Sequence, residues 1–109
     1  SNVCRPYNFH AGFSPFYFPI FVDEEQISCS KDEFALAVES EGIPLGVHYD
    51  CVISSWDYSK KYLKDDFAAS NAERVRDTSF NLFLNEKYSE GEAGDIITSI
   101  NKVESYFRR

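Results

Sequence analysis

Residues 30–49 of the chain read SKDEFALAVESEGIPLGVHY, and this stretch decides the class of fold. Its first four residues form a capping-box motif, in which the hydroxyl of Ser30 accepts a hydrogen bond from the backbone of Glu33 and the carboxylate of Glu33 reaches back. Apolar residues then recur at helical spacing, Gly42 suits a left-handed stop, and Pro44 prevents continuation. The pattern predicts an amphipathic helix of about 11 residues, with a cap at its start and a stop signal at its end.

Three apolar segments around this helix predict β-strands. Residues 16–22 lie upstream and are rich in residues that suit a pleated surface. Pro19 has no N–H to donate, so we expect this strand at an edge of the sheet or with the proline nitrogen facing away from a neighbour. Residues 45–49 predict a short second strand, and residues 80–84 a third.

The remaining segments are predicted to be helical. Residues 50–67 form a long excursion with a helical turn, and Ser70 is predicted to cap a further short helix through Ala72 and Val75. Residues 89–92 repeat the capping-box motif and introduce a long C-terminal helix. Its apolar stripe consists of Ala93, Ile96, Ile97, Ile100, Val103 and Phe107.

The predicted order is β-α-β-(α-α)-β-α, an α/β arrangement of the two-layer α+β type. Strands joined by a helix are expected to run parallel with a right-handed crossover. Because each helix has a single apolar face, a single sheet is needed to cover all of them. We therefore expect a small three-stranded mixed sheet with the helices packed on one face.

The first 14 residues are expected to lie outside the domain. The chain contains no methionine, so we expect a segment of a longer protein. Ser1 and Asn2 resemble the remnant of a cleaved purification tag, and residues 3–14 resemble a connector from an upstream part, with turn residues and no periodicity. Residues 15–109 are long enough for one domain with one modest core.

Composition excludes several function classes. Hydrophobic residues make up 43% of the chain and aromatic residues 17%, which is typical of a folded protein. The net charge of −7 disfavours nucleic acid and anionic membranes as partners. No apolar run approaches the roughly 20 residues that cross a bilayer. Three irregularly spaced cysteines argue against a disulfide framework or a zinc site, and favour a cytoplasmic protein with free thiols.

Catalytic motifs are absent from the sequence. There is no glycine-rich phosphate loop and no G-x-S-x-G elbow. His48 and Cys51, three residues apart, would project to opposite faces of an extended strand and are not expected to form a thiol–imidazole couple. His10 and His48 lack the spacing of metal ligands.

The segment Gly42–Tyr49, GIPLGVHY, resembles the EGI-x-x-G-x-HY segment in the C-terminal small domain of DegT/StrS-type aminotransferases. The resemblance extends in order over the whole domain. It includes the strand at residues 17–22, the helix cap at residues 30–33, the NAERVR and SFNL segments at residues 71–76 and 79–82, and the terminal helix at residues 89–103. Residues 50–56 depart from it, because many relatives have a proline and a second histidine there.

The resemblance implies a pyridoxal-phosphate-dependent enzyme that aminates a sugar, mostly nucleotide-linked, or, given the departures, a cyclitol. In this family the Schiff-base lysine, the acid against the pyridine nitrogen and the phosphate cradle belong to the large domain. None of the six lysines here lies in the family's lysine motif. The chain is thus expected to be inactive alone and, in a homodimeric parent, to form one wall of the substrate cleft around His48 and Tyr49.

Other interpretations remain open. His48 is either a residue of the cleft or a strand histidine whose ring is hydrogen-bonded to backbone or water. The chain as a whole is alternatively a free-standing ferredoxin-like module for ligand binding or dimerisation. A third alternative is an adaptor whose aromatic excursion, with Trp56 and Tyr58, binds a protein partner.

Overall fold

A computed structural model describes all 109 residues, which form a four-stranded sheet and three α-helices. The strands are β1 (Cys4–Pro6), β2 (Phe18–Val22), β3 (Leu45–Gly46) and β4 (Ser79–Leu82). The helices are α1 (Lys31–Ser40), α2 (Ser70–Thr78) and α3 (Glu90–Phe107). Short 3-10 turns lie at Glu24–Gln26, Ile53–Ser55 and Lys60–Tyr62. The predicted α+β class is confirmed.

The sheet has the order β1-β2-β4-β3, and every neighbouring pair is antiparallel. The prediction of a three-stranded mixed sheet was therefore wrong in strand number and in pairing. Strands β2 and β3 both run antiparallel to β4, so they share one direction, as a helical crossover requires. The crossover through α1 leaves room for one strand between them, and β4 occupies that place.

The fourth strand comes from the segment that the sequence analysis assigned to a connector. Cys4 pairs with Val22 and Pro6 with Ile20, so β1 lies along the outer side of β2. Val3 and Cys4 are buried. A strand of three residues that ends in proline has too few positions to show an alternating pattern, which is why it was not predicted.

Pro19 lies in an interior strand, because β2 has a neighbour on each side. Its carbonyl accepts a hydrogen bond from the Tyr7 N–H at 3.2 Å, so its nitrogen faces the same side, just past the end of β1. The Tyr7 carbonyl, which an N–H at position 19 would have engaged, accepts instead from the Phe9 N–H at 3.0 Å. Of the two predicted alternatives, the edge position was wrong, and the nitrogen faces away from the neighbouring strand β4. A local turn at Tyr7–Phe9 compensates for the missing donor.

The core lies between the sheet and two of the helices. Ile20 and Phe80 are cross-strand partners on the face that α1 and α3 cover. Each fully buried aliphatic or aromatic side chain stabilises the fold by about 1.5–3 kcal/mol. Helix α2 contacts β2 and β4 but contributes none of the core residues. The core comprises Val3, Cys4, Ile20, Val22, Ile27, Phe34, Ala35, Val38, Ile43, Leu45, Phe80, Leu82, Ile100 and Val103.

The predicted ends of α1 and the predicted start of α3 are confirmed. Ser70 is the first residue of α2 and not its cap, because Ala69 precedes the helix without a side-chain hydrogen bond. Both predicted capping boxes are present, at Ser30 with Glu33 and at Ser89 with Glu92. Gly42 has φ 92°, the left-handed stop that glycine adopts without a steric penalty, and its N–H bonds to the Glu39 carbonyl at 2.9 Å. Helix α1 is 10 residues long. None of the helices is both long and apolar enough to span a membrane.

All three predicted strands are shorter than the sequence predicts, and β2 begins at Phe18 and not at residue 16. Strand β3 ends at Gly46 because the next carbonyl, that of Val47, accepts a hydrogen bond from a lysine side chain and not from a strand. Strand β4 ends at Leu82, and the apolar residues Phe83 and Leu84 lie half-exposed. The excursion at residues 50–67 holds two 3-10 turns where one helical turn was predicted.

Candidate functional site

A polar pocket of about 460 Å³ lies at the N-terminal end of α1. Three stretches that are distant in sequence form it: the start of α1 with the turn before it, the segment after β3, and the last turns of α2. None of its residues is hydrophobic. The lining residues are Glu24, Ser30, Lys31, Asp32, His48, Asp50, Arg76 and Asp77.

His48 belongs to the wall of this pocket. Its side chain is 45% exposed, so it is not a core residue. Its Nδ1 lies 3.4 Å from Asp32 Oδ1 and 3.5 Å from Lys31 Nζ. Because these contacts are long and the ring is half-exposed, the imidazole is available to a molecule in the pocket.

Lys31 is a charged residue with only 3% of its side chain exposed. Its Nζ donates to the Val47 carbonyl at 2.8 Å and pairs with Asp32 Oδ1 at 2.5 Å. The hydrogen bond from Lys31 lowers the pKa of Asp32, against the opposing effect of burial, and the charges of Lys31 and His48 lower it further. Lys31 thus ties α1 to the segment that carries His48 and keeps Asp32 ionised.

Arg76 and Asp77 form the opposite wall, near the end of α2. Arg76 Nε donates to Asp77 Oδ1 at 2.7 Å, and another guanidinium N–H donates to Ser55 Oγ at 3.2 Å. The hydrogen bond from Arg76 lowers the pKa of Asp77, and the charges of Lys31 and His48 act in the same direction. The two walls are therefore electrostatically coupled across the pocket.

Tyr49 does not share the pocket of His48. It lines a second, mainly apolar cavity of about 440 Å³, where its ring meets that of Tyr17 edge-on at 5.1 Å. Cys51 also lines this second cavity, and it raises the pKa of the Tyr49 phenol. The thiol therefore lies next to Tyr49 and not next to His48. Arg76 is the one residue common to both cavities. The structure thus separates the two residues that the sequence placed in one cleft.

The rings of Trp56 and Tyr58 contact each other at a tilt of 30°, with ring centroids 5.5 Å apart. The indole N–H of Trp56 donates to the backbone carbonyl of Asp50 at 2.8 Å. This hydrogen bond fixes the segment that carries Asp50 into the polar pocket. Trp56 therefore does not line the pocket, but it holds in place the backbone of Asp50, which does.

The residues of the polar pocket do not fit pyridoxal phosphate. Lys31 is the only lysine in the polar pocket, and Val47 and Asp32 already engage its ammonium group. Four carboxylates face the same space and would repel a phosphate. No three side chains among the histidines, cysteines, aspartates and glutamates come together as a set that would hold a metal ion.

Sequence reasoning identified His48 but missed the residues that surround it. Lys31 and Asp32 appeared only as positions in a capping box, and Arg76 and Asp77 only as part of a short helix. The usable signal was the dipeptide Lys31-Asp32 at the first turn of a helix whose end leads directly to His48. The contribution of α2 follows from the strand order, which the sequence did not indicate.

A scan against protein-family models found no match to the chain, and a search of curated proteins found none either.

Proposed function

We propose that the chain is the C-terminal small domain of a pyridoxal-phosphate-dependent aminotransferase of the DegT/StrS type. In this proposal the parent enzyme acts on a sugar or cyclitol, and the domain forms one wall of its substrate cleft. The domain supplies the polar pocket with His48, while the cofactor is held by a large domain of the parent. The domain alone is inactive.

The observation that carries the proposal is the position of His48. In the segment Gly42–Tyr49, which resembles the family's motif, His48 is the residue that lines a cavity with no hydrophobic wall. Hydroxyl-rich molecules are bound by polar groups of this kind. The exposed, weakly engaged ring of His48 supports a binding role over a role in the core.

The first test is titration of the isolated chain with pyridoxal phosphate. No Schiff-base absorbance band is expected, because the one lysine in the pocket is already paired and the others lie in other settings. A specific band would appear at one equivalent of cofactor and disappear when one lysine is replaced. That result would contradict the proposal.

The second test is His48→Ala in the full-length parent, with turnover and thermal stability measured on the same sample. Turnover should fall, because a group that contacts the substrate is lost. The free energy of unfolding should change by less than about 1 kcal/mol, since the side chain is half-exposed.

His10→Ala is the matched control, because His10 is the other histidine and is exposed on a different segment. It should change neither turnover nor stability. Normal turnover in His48→Ala, with a lowered melting temperature, would remove His48 from the site and leave the proposal without its main support.

A second function is favoured by a separate observation, an apolar groove of about 440 Å³ between the sheet and the first half of α3. A free-standing dimerisation or adaptor module would use such a surface for its partner. The two proposals differ in what His48→Ala does: an adaptor should keep its binding when His48 is lost. Substitution of Ile97, an exposed residue of the groove, should abolish that binding.

A further inference from the structure

We infer that Lys31 is a positioning residue for His48, because its buried ammonium donates to Nδ1 of the neutral imidazole and so fixes the ring proton on Nε2. His48 then presents an N–H donor to the polar pocket. The consequence for the parent enzyme rests on the proposed function. The tautomer of His48 does not, since it follows from contacts within the chain.

The ammonium group of Lys31 has three N–H groups and needs three acceptors when water is excluded. Only 3% of the Lys31 side chain is exposed, so the acceptors have to come from the chain. Asp32 Oδ1 at 2.5 Å and the Val47 carbonyl at 2.8 Å are two of them. The other polar atom within hydrogen-bonding distance is His48 Nδ1, at 3.5 Å. Nδ1 is therefore the acceptor for the third N–H.

Asp32 competes with Lys31 for the same ring nitrogen, because its Oδ1 lies 3.4 Å from His48 Nδ1. A carboxylate can only accept and would need the proton on Nδ1, whereas an ammonium can only donate and needs a lone pair there. The Asp32 side chain is 49% exposed, so Lys31 and water satisfy it whichever tautomer the ring adopts. The buried ammonium of Lys31 has no such substitute.

The opposite tautomer would carry a direct cost. A proton on Nδ1 would face the third N–H of Lys31, and a buried charged donor would be left without an acceptor. Only in acid, when both ring nitrogens carry protons, does Asp32 become the partner of Nδ1. The lowered pKa of Asp32 agrees with this, because it is due first to the hydrogen bond from Lys31 and in smaller part to the charge of His48.

The consequence concerns the side of the His48 ring that is open to the pocket. The polar contacts of the ring within the chain all involve Nδ1, and 45% of the side chain is exposed. Nε2 is thus left for a bound molecule, and it already carries the proton. His48 therefore donates to an acceptor oxygen of that molecule and does not remove a proton from it. In the proposed parent enzyme, His48 is a binding residue and not a general base.

The test is the tautomer of His48 in the isotope-labelled chain, read from long-range proton–nitrogen correlations of the imidazole ring. The spectra are recorded at about pH 8.5, roughly two units above the ordinary pKa of a histidine side chain. His48 should be in the Nε2–H form. Lys31→Met keeps an unbranched apolar side chain and removes the donor, so His48 should shift mostly to the Nδ1–H form with Asp32 as its partner. His10 is exposed on another segment and is the internal control, which should not change.

Asp32→Asn is the matched variant, one residue further along α1. It should leave the tautomer of His48 unchanged, because the amide oxygen still accepts from Lys31. If Lys31→Met does not fold, the unaltered chain and Asp32→Asn decide the question. An Nδ1–H form in the unaltered chain, a change of tautomer in Asp32→Asn, or no change in Lys31→Met would each overturn the inference.

A rescue experiment in the full-length parent tests the donor role. His48→Gln places an amide N–H near the position of the Nε2–H but cannot act as a base. Its turnover should exceed that of His48→Ala by up to about tenfold, the order of one hydrogen bond. Equal turnover of the two variants, both below the unaltered enzyme, would overturn the donor role. Normal turnover of His48→Ala would instead contradict the proposed function, and the tautomer measured in the isolated chain would stand.

Discussion

Lys31 and Glu104 are charged residues whose side chains are only 3% and 7% exposed, and each connects segments that are far apart in the chain. Lys31 bonds to the carbonyl of Val47. Glu104, on α3, accepts hydrogen bonds from the Ser1 hydroxyl, the Asn2 N–H and the Arg108 guanidinium. Removing one partner of a buried charge leaves the other without compensation, so both residues should matter for stability.

Glu104 should make the stability of the chain depend on pH. Burial opposes ionisation of Glu104, but hydrogen bonds from Ser1 and Asn2 and the charge of Arg108 outweigh it, so its pKa is lowered. A lowered folded-state pKa gives stability that is present above the unfolded value of about 4.3 and is lost as the pH falls through the folded value. The free energy of unfolding should therefore decrease with acidification from about pH 5 to 3, and less steeply in Glu104→Gln.

Chemical denaturation at several pH values measures this slope. At neutral pH, Glu104→Gln should cost about 1–3 kcal/mol, because charge-assisted hydrogen bonds to a buried group are weakened. Glu39→Gln, an exposed carboxylate on α1, is the control and should keep the full slope. Identical slopes for the unaltered chain and Glu104→Gln would show that this carboxylate does not hold the N-terminal segment.

Neither buried charge is visible in the sequence, and the physical reason is the same for both. Lysine and glutamate are mostly exposed in proteins, and only tertiary partners make their burial tolerable. Each has one neighbour in sequence as a partner, but the others lie at least 16 residues away for Lys31 and more than 100 residues away for Glu104. His48 was identified because it lies within a local motif, whereas Asp32, Asp50 and Arg76 join it only through the fold.

At the scale of elements, α3 buries only two of the six residues of its apolar stripe. Ile100 and Val103 lie in the core, while Ile97 is 58% exposed. The half near the N-terminus of α3 faces the apolar groove, which is open. A stripe in the sequence therefore predicted a helix correctly, but it did not show which residues have a covering partner.

Ile100→Ala should destabilise the fold by about 2–5 kcal/mol, because it removes buried methylene groups and leaves a cavity. Ile97→Ala is a matched control, since it is the same substitution three residues earlier on α3, and it should cost about 1 kcal/mol or less. Thermal or denaturant unfolding of both variants checks the difference. Similar losses, or a cost below about 0.5 kcal/mol for Ile100→Ala, would show that α3 does not pack as described.

The elements that local chemistry specifies were predicted, and those that depend on pairing were not. Capping boxes and Gly42 gave α1 and α3 their ends. Strand β1 lacks any local signal, because three residues are too few for alternation and its burial depends on β2 and Glu104. The sequence does not indicate that β4 lies between β2 and β3, because the pattern of apolar and polar residues within each strand would be the same with another strand order.

On the scale of the whole molecule, the apolar groove and a neighbouring pocket form one stretch of apolar surface. The apolar groove is lined mainly by hydrophobic residues from β2, β4 and α3. A smaller pocket continues it and shares Phe18, Leu82 and Leu84 with it. Phe16, in that smaller pocket, is fully exposed. The polar pocket, by contrast, has no hydrophobic residue.

This stretch of apolar surface should cause the isolated chain to self-associate, because contiguous apolar surface on a protein in water favours burial against another molecule. Sedimentation velocity from micromolar to millimolar concentration should show a rising average mass, despite the net charge of −7 that opposes association. Phe16→Ser with Ile97→Ser should reduce the association, since both side chains are exposed there. Leu36→Ser is the control: Leu36 is 50% exposed on α1, outside this surface, and its loss should leave the association unchanged. A monomer at every concentration, or an equal effect of the control, would mean that the groove is not an interaction surface. In the proposed parent enzyme the large domain would cover this surface. The double substitution Phe16→Ser and Ile97→Ser should therefore not increase the solubility of the full-length protein.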